Sequence, residues 1–143
     1  MATLDSITAR FAAADRDTRL QTLLEYSRRL PELPVRLAAE RDRGVGRVHE
    51  CQTPVFLYVE LPDGRLALHA DVPRESPTVR GFLSMLIKVL TGADPADVAR
   101  IPDDLLERMR LAGDLGLTRT QGLSAILARV KRLVMELGER GAG

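Results

Sequence analysis

Gly46-Arg47-Val48-His49-Glu50-Cys51-Gln52-Thr53-Pro54-Val55-Phe56-Leu57 passes from a polar, glycine-bearing loop into an apolar run. From Val55 the pattern alternates. Val55, Leu57, Val59 and Leu61 take one side, and Phe56, Tyr58 and Glu60 take the other. Successive side chains of a strand point to opposite faces, so this is a strand with one buried face. Leu61-Pro62-Asp63-Gly64-Arg65 is a turn, in which proline presets φ and glycine accepts a positive φ. Leu66, Leu68 and Ala70 then alternate with Ala67 and His69, which closes a hairpin. Val45 to Glu50 reads as a third strand leading into the cysteine. A lone hairpin is marginal in water, so the sheet has to rest on helices. His69 reads as a sheet-face residue rather than a catalyst.

The flanking sequence supplies those helices. Leu4, Ile7, Phe11 and Ala14 recur at helical spacing. Asp15 or Asp17 caps a second helix, which carries Leu20, Leu23, Leu24 and Leu30 and is ended by Pro31 and Pro34. Val35 to Gly46, small and charged, reads as a surface connection with at most a turn of helix at Ala38–Arg41. Beyond the hairpin, Ser76-Pro77 gives a cap and a first-turn proline. Val79, Phe82, Leu83, Leu86, Ile87 and Leu90 form a stripe, with Arg80, Ser84 and Lys88 opposite and Gly92 as the stop. Gly81 sits inside this helix at a cost of about 1 kcal/mol against alanine. A close approach by another backbone, such as the cysteine loop, accounts for it.

Asp94-Pro95 opens a short helix that Ile101-Pro102 interrupts, and Asp103 to Leu111 continues until Gly113. Thr118 and Gln121 have capping-box spacing. The longest stripe follows, from Leu123 to Leu137, with Arg129, Lys131, Arg132 and Glu136 on its outer side and Gly138 and the Gly141–Gly143 tail ending the fold. The expected architecture is α+β: a small antiparallel sheet of about three strands, packed on one side by helices, in a single domain over residues 1–143.

Composition narrows the function. Hydrophobic residues are 45% and charged residues 29%, the balance of an ordinary globular chain. A net charge of +1 provides no field for nucleic acid or an anionic membrane. With 3% aromatics and no tryptophan there is no base-stacking platform. No apolar run approaches the roughly 20 residues of a spanning helix. Met1-Ala2-Thr3-Leu4-Asp5 lacks the basic start and apolar segment of a secretory signal, so a cytoplasmic protein is expected.

Cys51 is the one cysteine of 143 residues, so no internal disulfide can form. Cys51, His49 and His69 together fall short of the four ligands of a structural zinc site, and a lone cysteine falls short of an iron–sulfur cluster. Two readings of Cys51 stand side by side: a thiol presented to a partner at a loop–strand junction, or a small buried hydrophobe. A free thiol has a pKa near about 8.5, so only roughly 3% is thiolate at neutral pH. Glu50 opposes thiolate formation. His49, two residues before, is a candidate proton shuttle. Arg119 is placed against the positive end of a helix dipole, at a cost of a few tenths of a kcal/mol, and so is a candidate for meeting a carboxylate, a partner or the sulfur.

Val48 to Leu57 resembles the sulfur-acceptor loop of the SufE family, whose pattern is roughly valine, any, glycine, cysteine, any, serine, any, valine, aromatic, aliphatic. Leu30-Pro31-Glu32-Leu33-Pro34, Thr78-Val79-Arg80-Gly81-Phe82 and Thr118-Arg119-Thr120-Gln121-Gly122-Leu123 resemble three further family segments in order and spacing. The chain departs from the pattern at Glu50 for glycine, Thr53 for serine and Phe56 for tryptophan. The resemblance implies a SufE/IscU-like fold, as monomer or homodimer. It implies a sulfur acceptor that takes persulfide sulfur from a SufS-like cysteine desulfurase onto Cys51, stimulates that enzyme, and passes sulfur toward a downstream cluster scaffold. Arg119 would then stabilise the anion or contact the partner. The protein would be a carrier and activator rather than an enzyme and would hold no cofactor of its own, since the pyridoxal phosphate belongs to the desulfurase. A partner-binding module with a structural cysteine is the alternative. An independent thiol enzyme would need a second group converging on Cys51, and no resolving cysteine exists.

Overall fold

The computed structural model describes residues 2–142. Helix α1 (Ala2–Ala13) buries Leu4, Ile7 and Phe11, the stripe its spacing predicts. Helix α2 (Arg16–Ser27) is capped by Asp15, whose carboxylate accepts the Thr18 N–H at 2.8 Å. It stops at Ser27, short of the two prolines, so Pro31 and Pro34 shape the exit rather than the end.

The expected surface connection is instead helix α3 (Val35–Asp42), which buries Leu37. Its charge density is absorbed within the chain. Arg36 makes two 2.7 Å bonds to the Glu60 carboxylate, and Arg41 reaches Asp71 at 3.3 Å. These pairs hold α3 against the sheet.

Strands β1 (Phe56–Glu60) and β2 (Ala67–Asp71) pair antiparallel, with Leu57 opposite Ala70 and Val59 opposite Leu68. Among the described residues the third strand is reduced to one bridge, Arg47 to Phe56. The Val48 N–H donates to the Val55 carbonyl at 2.8 Å and the Leu57 N–H to that of Gly46 at 2.9 Å. Pairing goes no further because the backbone turns on either side. Gly46 has φ +89, with the Tyr58 ring filling the space its side chain would take, and His49-Glu50 form a turn.

Helix α4 (Pro77–Leu90) is the centre of the core. Gly81 through Leu86 are all buried, and Met85 and Val89 widen the apolar face so that of the polar side only Lys88 is exposed. Ser84 is 4% exposed. Arg80 donates to the Ser27 carbonyl at 3.1 Å and the Val72 carbonyl at 2.6 Å, joining the end of α2 to the segment after β2. The close approach at Gly81 is real, but the neighbour is α2 rather than the cysteine loop. A Cβ there would fall 2.8 Å from the Leu23 carbonyl carbon and closer still to its oxygen.

The segment after α4 is more broken than its apolar pattern indicates. It forms α5 (Pro95–Ala99), α6 (Leu105–Arg108) and α7 (Leu111–Leu115), with left-handed Arg110 (φ 63) separating the last two. Gly113 lies within α7, and Gly116, at φ 83, ends it. Helix α8 (Leu117–Ala142) starts directly after Gly116, so Thr118 sits in its first turn rather than at the cap. The helix runs through Gly138 without a break, so that glycine does not stop it; Gly143 lies outside the described residues. Leu123, Ile126, Leu127, Val130 and Val134 close the core against β1, α5 and α7. No helix among the described residues is long and apolar enough to cross a membrane.

Candidate functional site

The sulfur is carried on a short loop with a pinned base. Val48 and Val55 are completely buried, and their hydrogen bond joins the two ends of residues 49–54. Within the loop the Cys51 N–H donates to the Val48 carbonyl at 3.3 Å. Cys51 is 7% exposed. Each reading of the thiol therefore captures part of its placement. Cys51 packs at the edge of the hydrophobic core, yet it also borders a cleft of 650 Å³.

One wall of the cleft is the loop from Glu50 to Thr53. The other is the end of α7 and the first two turns of α8, including Arg119, Gln121 and Gly122. Gly122 keeps this wall thin next to the thiol, since a Cβ there would lie 3.6 Å from the Cys51 sulfur. Arg119 is exposed on the same cleft, so the fold joins Cys51 and Arg119 across 68 residues of sequence at one opening. His49 is exposed in the turn before Glu50 and is not part of the cleft wall. Among the described residues, no group of three or more His, Cys, Asp or Glu side chains is placed to hold a metal ion.

One residue of the site escapes the sequence pattern. Arg129 falls on the outer side of the last helical stripe, but its side chain is only 20% exposed. Its guanidinium lies 3.6 Å from the Glu50 carboxylate, and its buried Nε has no hydrogen-bond partner. The charge that Glu50 places beside the thiol is thus met by a cation from α8. The clue was in the spacing: Gly122, Ala125 and Arg129 fall on one helix face. His69 behaves as a sheet-face residue, its Nε2 lying 3.3 Å from Glu60, which Arg36 already holds.

Residues 5–134 match the SufE family, described as an Fe-S metabolism associated domain. The chain belongs to the SufE family. Among the SufE relatives, an uncharacterized SufE-like protein of Mycobacterium tuberculosis is 38% identical over 136 residues, covering 94% of this chain and 93% of its own. An uncharacterized SufE-like protein of Synechocystis is 25% identical over 127 residues, covering 87% of this chain and 76% of its own. The solution structure of a hypothetical protein from Thermus thermophilus superposes with a TM-score of 0.79 at 32% identity, over 94% of both chains. The α+β architecture expected from the hairpin and its helices is therefore that of this SufE fold. Membership places the chain in iron–sulfur metabolism, in a family of sulfur acceptors associated with cysteine desulfurases.

Proposed function

We propose that this protein accepts persulfide sulfur on Cys51 from a pyridoxal-phosphate-dependent cysteine desulfurase, raises that enzyme's turnover, and delivers the sulfur to a cluster scaffold in the cytoplasm. It acts as carrier and activator; the carbon–sulfur chemistry and its cofactor stay with the partner. The observation that carries the reading is that the one cysteine of the chain borders a 650 Å³ cleft which also contains Arg119.

The step is an exchange at sulfur. The Cys51 thiolate attacks the outer sulfur of the partner's persulfide. A new bond forms between the Cys51 sulfur and that atom, and the bond from that atom to the partner's cysteine breaks. The partner leaves as a thiolate and takes up the proton that Cys51 lost, with no net oxidation. Arg119 and the N-terminal turn of α8 provide positive charge where sulfur bears negative charge. Burial of Cys51 protects a bound persulfide from stray thiols between encounters, and the loop has to open for the transfer.

The test is to mix the protein with an active desulfurase, free cysteine and no other thiol, and to weigh the intact chain. Mass should be added in units of one sulfur, and Cys51→Ser should abolish it. An active desulfurase that leaves the mass of the wild-type chain unchanged would refute the proposal.

A further inference from the structure

Cys51 is almost fully covered in a short loop, so something sets how often it emerges. Apart from the two buried valines at its base, the loop has, among the described residues, one charged connection to the body of the protein, Glu50 to Arg129 at 3.6 Å. The two ends of this pair differ. Glu50 is 49% exposed and stands next to the cysteine, while Arg129 is anchored in α8 with its stem packed and only 20% exposed. The guanidinium approaches the Glu50 carboxylate at 3.6 Å, and its Nε is buried with no hydrogen-bond partner among the described residues. A loosely made pair between a mostly covered cation and a half-exposed carboxylate holds a loop without locking it.

We infer that Glu50 and Arg129 form a catch that keeps the Cys51 loop closed, and that both are positioning residues for sulfur transfer. The inference rests on the proposed function for its purpose, but the catch itself is a property of the isolated chain. Glu50 stands where the family pattern has glycine. A residue with a narrower conformational range and a counter-ion on α8 stands in place of that glycine. Opening then requires the Glu50–Arg129 contact to break, and a docking partner opens the loop by competing for either charge.

The catch and a simple charge effect predict opposite results at Arg129. If Glu50 only repels negative charge at the thiol, removing Arg129 uncovers that repulsion, and Cys51 reacts more slowly. If the pair is a catch, removing either member frees the loop, and Cys51 reacts faster. The experiment measures the rate at which the uncharged reagent iodoacetamide alkylates Cys51 in the folded full-length chain. Wild type, Glu50→Gln, Arg129→Met and Arg129→Lys are compared at low and high salt. Methionine keeps most of the packed stem of the arginine. Both Glu50→Gln and Arg129→Met should react roughly two- to fivefold faster, the range set by one partly exposed ion pair. Arg129→Lys should stay near wild type. The wild-type rate should rise with salt, whereas that of Glu50→Gln should not.

A slower or unchanged rate in Arg129→Met, with wild-type circular dichroism, overturns the catch. If that variant fails to fold, the salt response decides instead, and equal responses in wild type and Glu50→Gln overturn it. No desulfurase is present in the assay, so failure here leaves the sulfur-loading experiment untouched. Failure of sulfur loading likewise leaves the catch standing.

Discussion

The Nε of Arg19 in α2 donates to the Asp114 carboxylate in α7 at 2.6 Å, and a second guanidinium nitrogen donates to the same carboxylate at 3.0 Å. The Asp114 side chain is 7% exposed and that of Arg19 10%, so this pair joins the first part of the chain to the segment just before the cysteine cleft. The hydrogen bonds from Arg19 hold the Asp114 carboxyl below the usual carboxylate range, against the opposing effect of burial. A carboxyl whose pKa is depressed by folding contributes stability that is complete above its unfolded value. That stability is lost as pH falls through the folded value. The protein should therefore lose stability below about pH 4, and Asp114→Asn should be less stable at neutral pH with a flatter acid limb. Urea midpoints measured from pH 7 to pH 3 check this; parallel curves for the two proteins would contradict it.

Gly81→Ala provides a test in which two effects have opposite signs. Helix propensity favours alanine by about 1 kcal/mol. The added methyl, however, would meet the Leu23 carbonyl, which is backbone and cannot turn aside. Forcing α2 and α4 apart should dominate, with a net loss of about 1–3 kcal/mol in urea unfolding. A more stable variant would mean that the two helices can slide.

Gly122→Ala should behave differently, because its Cβ would make an ordinary contact of 3.6 Å with the Cys51 sulfur. Here the propensity gain should appear as about 0.5–1 kcal/mol of added stability. The methyl also takes up space beside the thiol, so sulfur loading should slow. A stabilised variant that loads sulfur at the wild-type rate would show that the outer sulfur lies on another side.

The two polar residues singled out near the thiol should separate in their effects on loading. Arg119→Ala should slow transfer from the desulfurase by roughly ten- to hundredfold, the scale of a hydrogen bond to a charged group. His49→Gln, outside the cleft wall, should stay within roughly a factor of two. Single-turnover transfer followed by intact mass reports both rates. A large effect at His49 with none at Arg119 would reverse the assignment.

Where local periodicity coincides with turn chemistry, the residues themselves dictate the fold. The Val55–Leu61 alternation, the Pro62-Asp63-Gly64 turn and the Leu66–Ala70 alternation lead directly to the hairpin, and Leu4, Ile7 and Phe11 to α1. Charged segments carry less local information, because their partners are distant in sequence. Val35–Asp42 looks like solvent-exposed loop until Glu60 and Asp71 are brought beside its arginines, because the pairing spans the sheet. Arg80 and Arg129 fall on the polar side of their stripes. Their partial burial depends on partners distant in sequence, the Ser27 and Val72 carbonyls for the one and the Glu50 charge for the other. At the candidate site, local surroundings single out Cys51 and Arg119, which line one cleft. The cleft itself is not legible locally, because it depends on Gly116 starting α8 two residues earlier than the Thr118 capping pattern implies.

The Val48–Val55 hydrogen bond confines any opening of the loop to residues 49–54. A fully extended chain gains at most about 3.6 Å per residue, so Cys51 can travel no more than roughly 10 Å from that anchor. A tether this short is no swinging arm between distant stations. Under the proposed function, donor and recipient would each have to bring the reacting atom to the surface of this protein, one after the other.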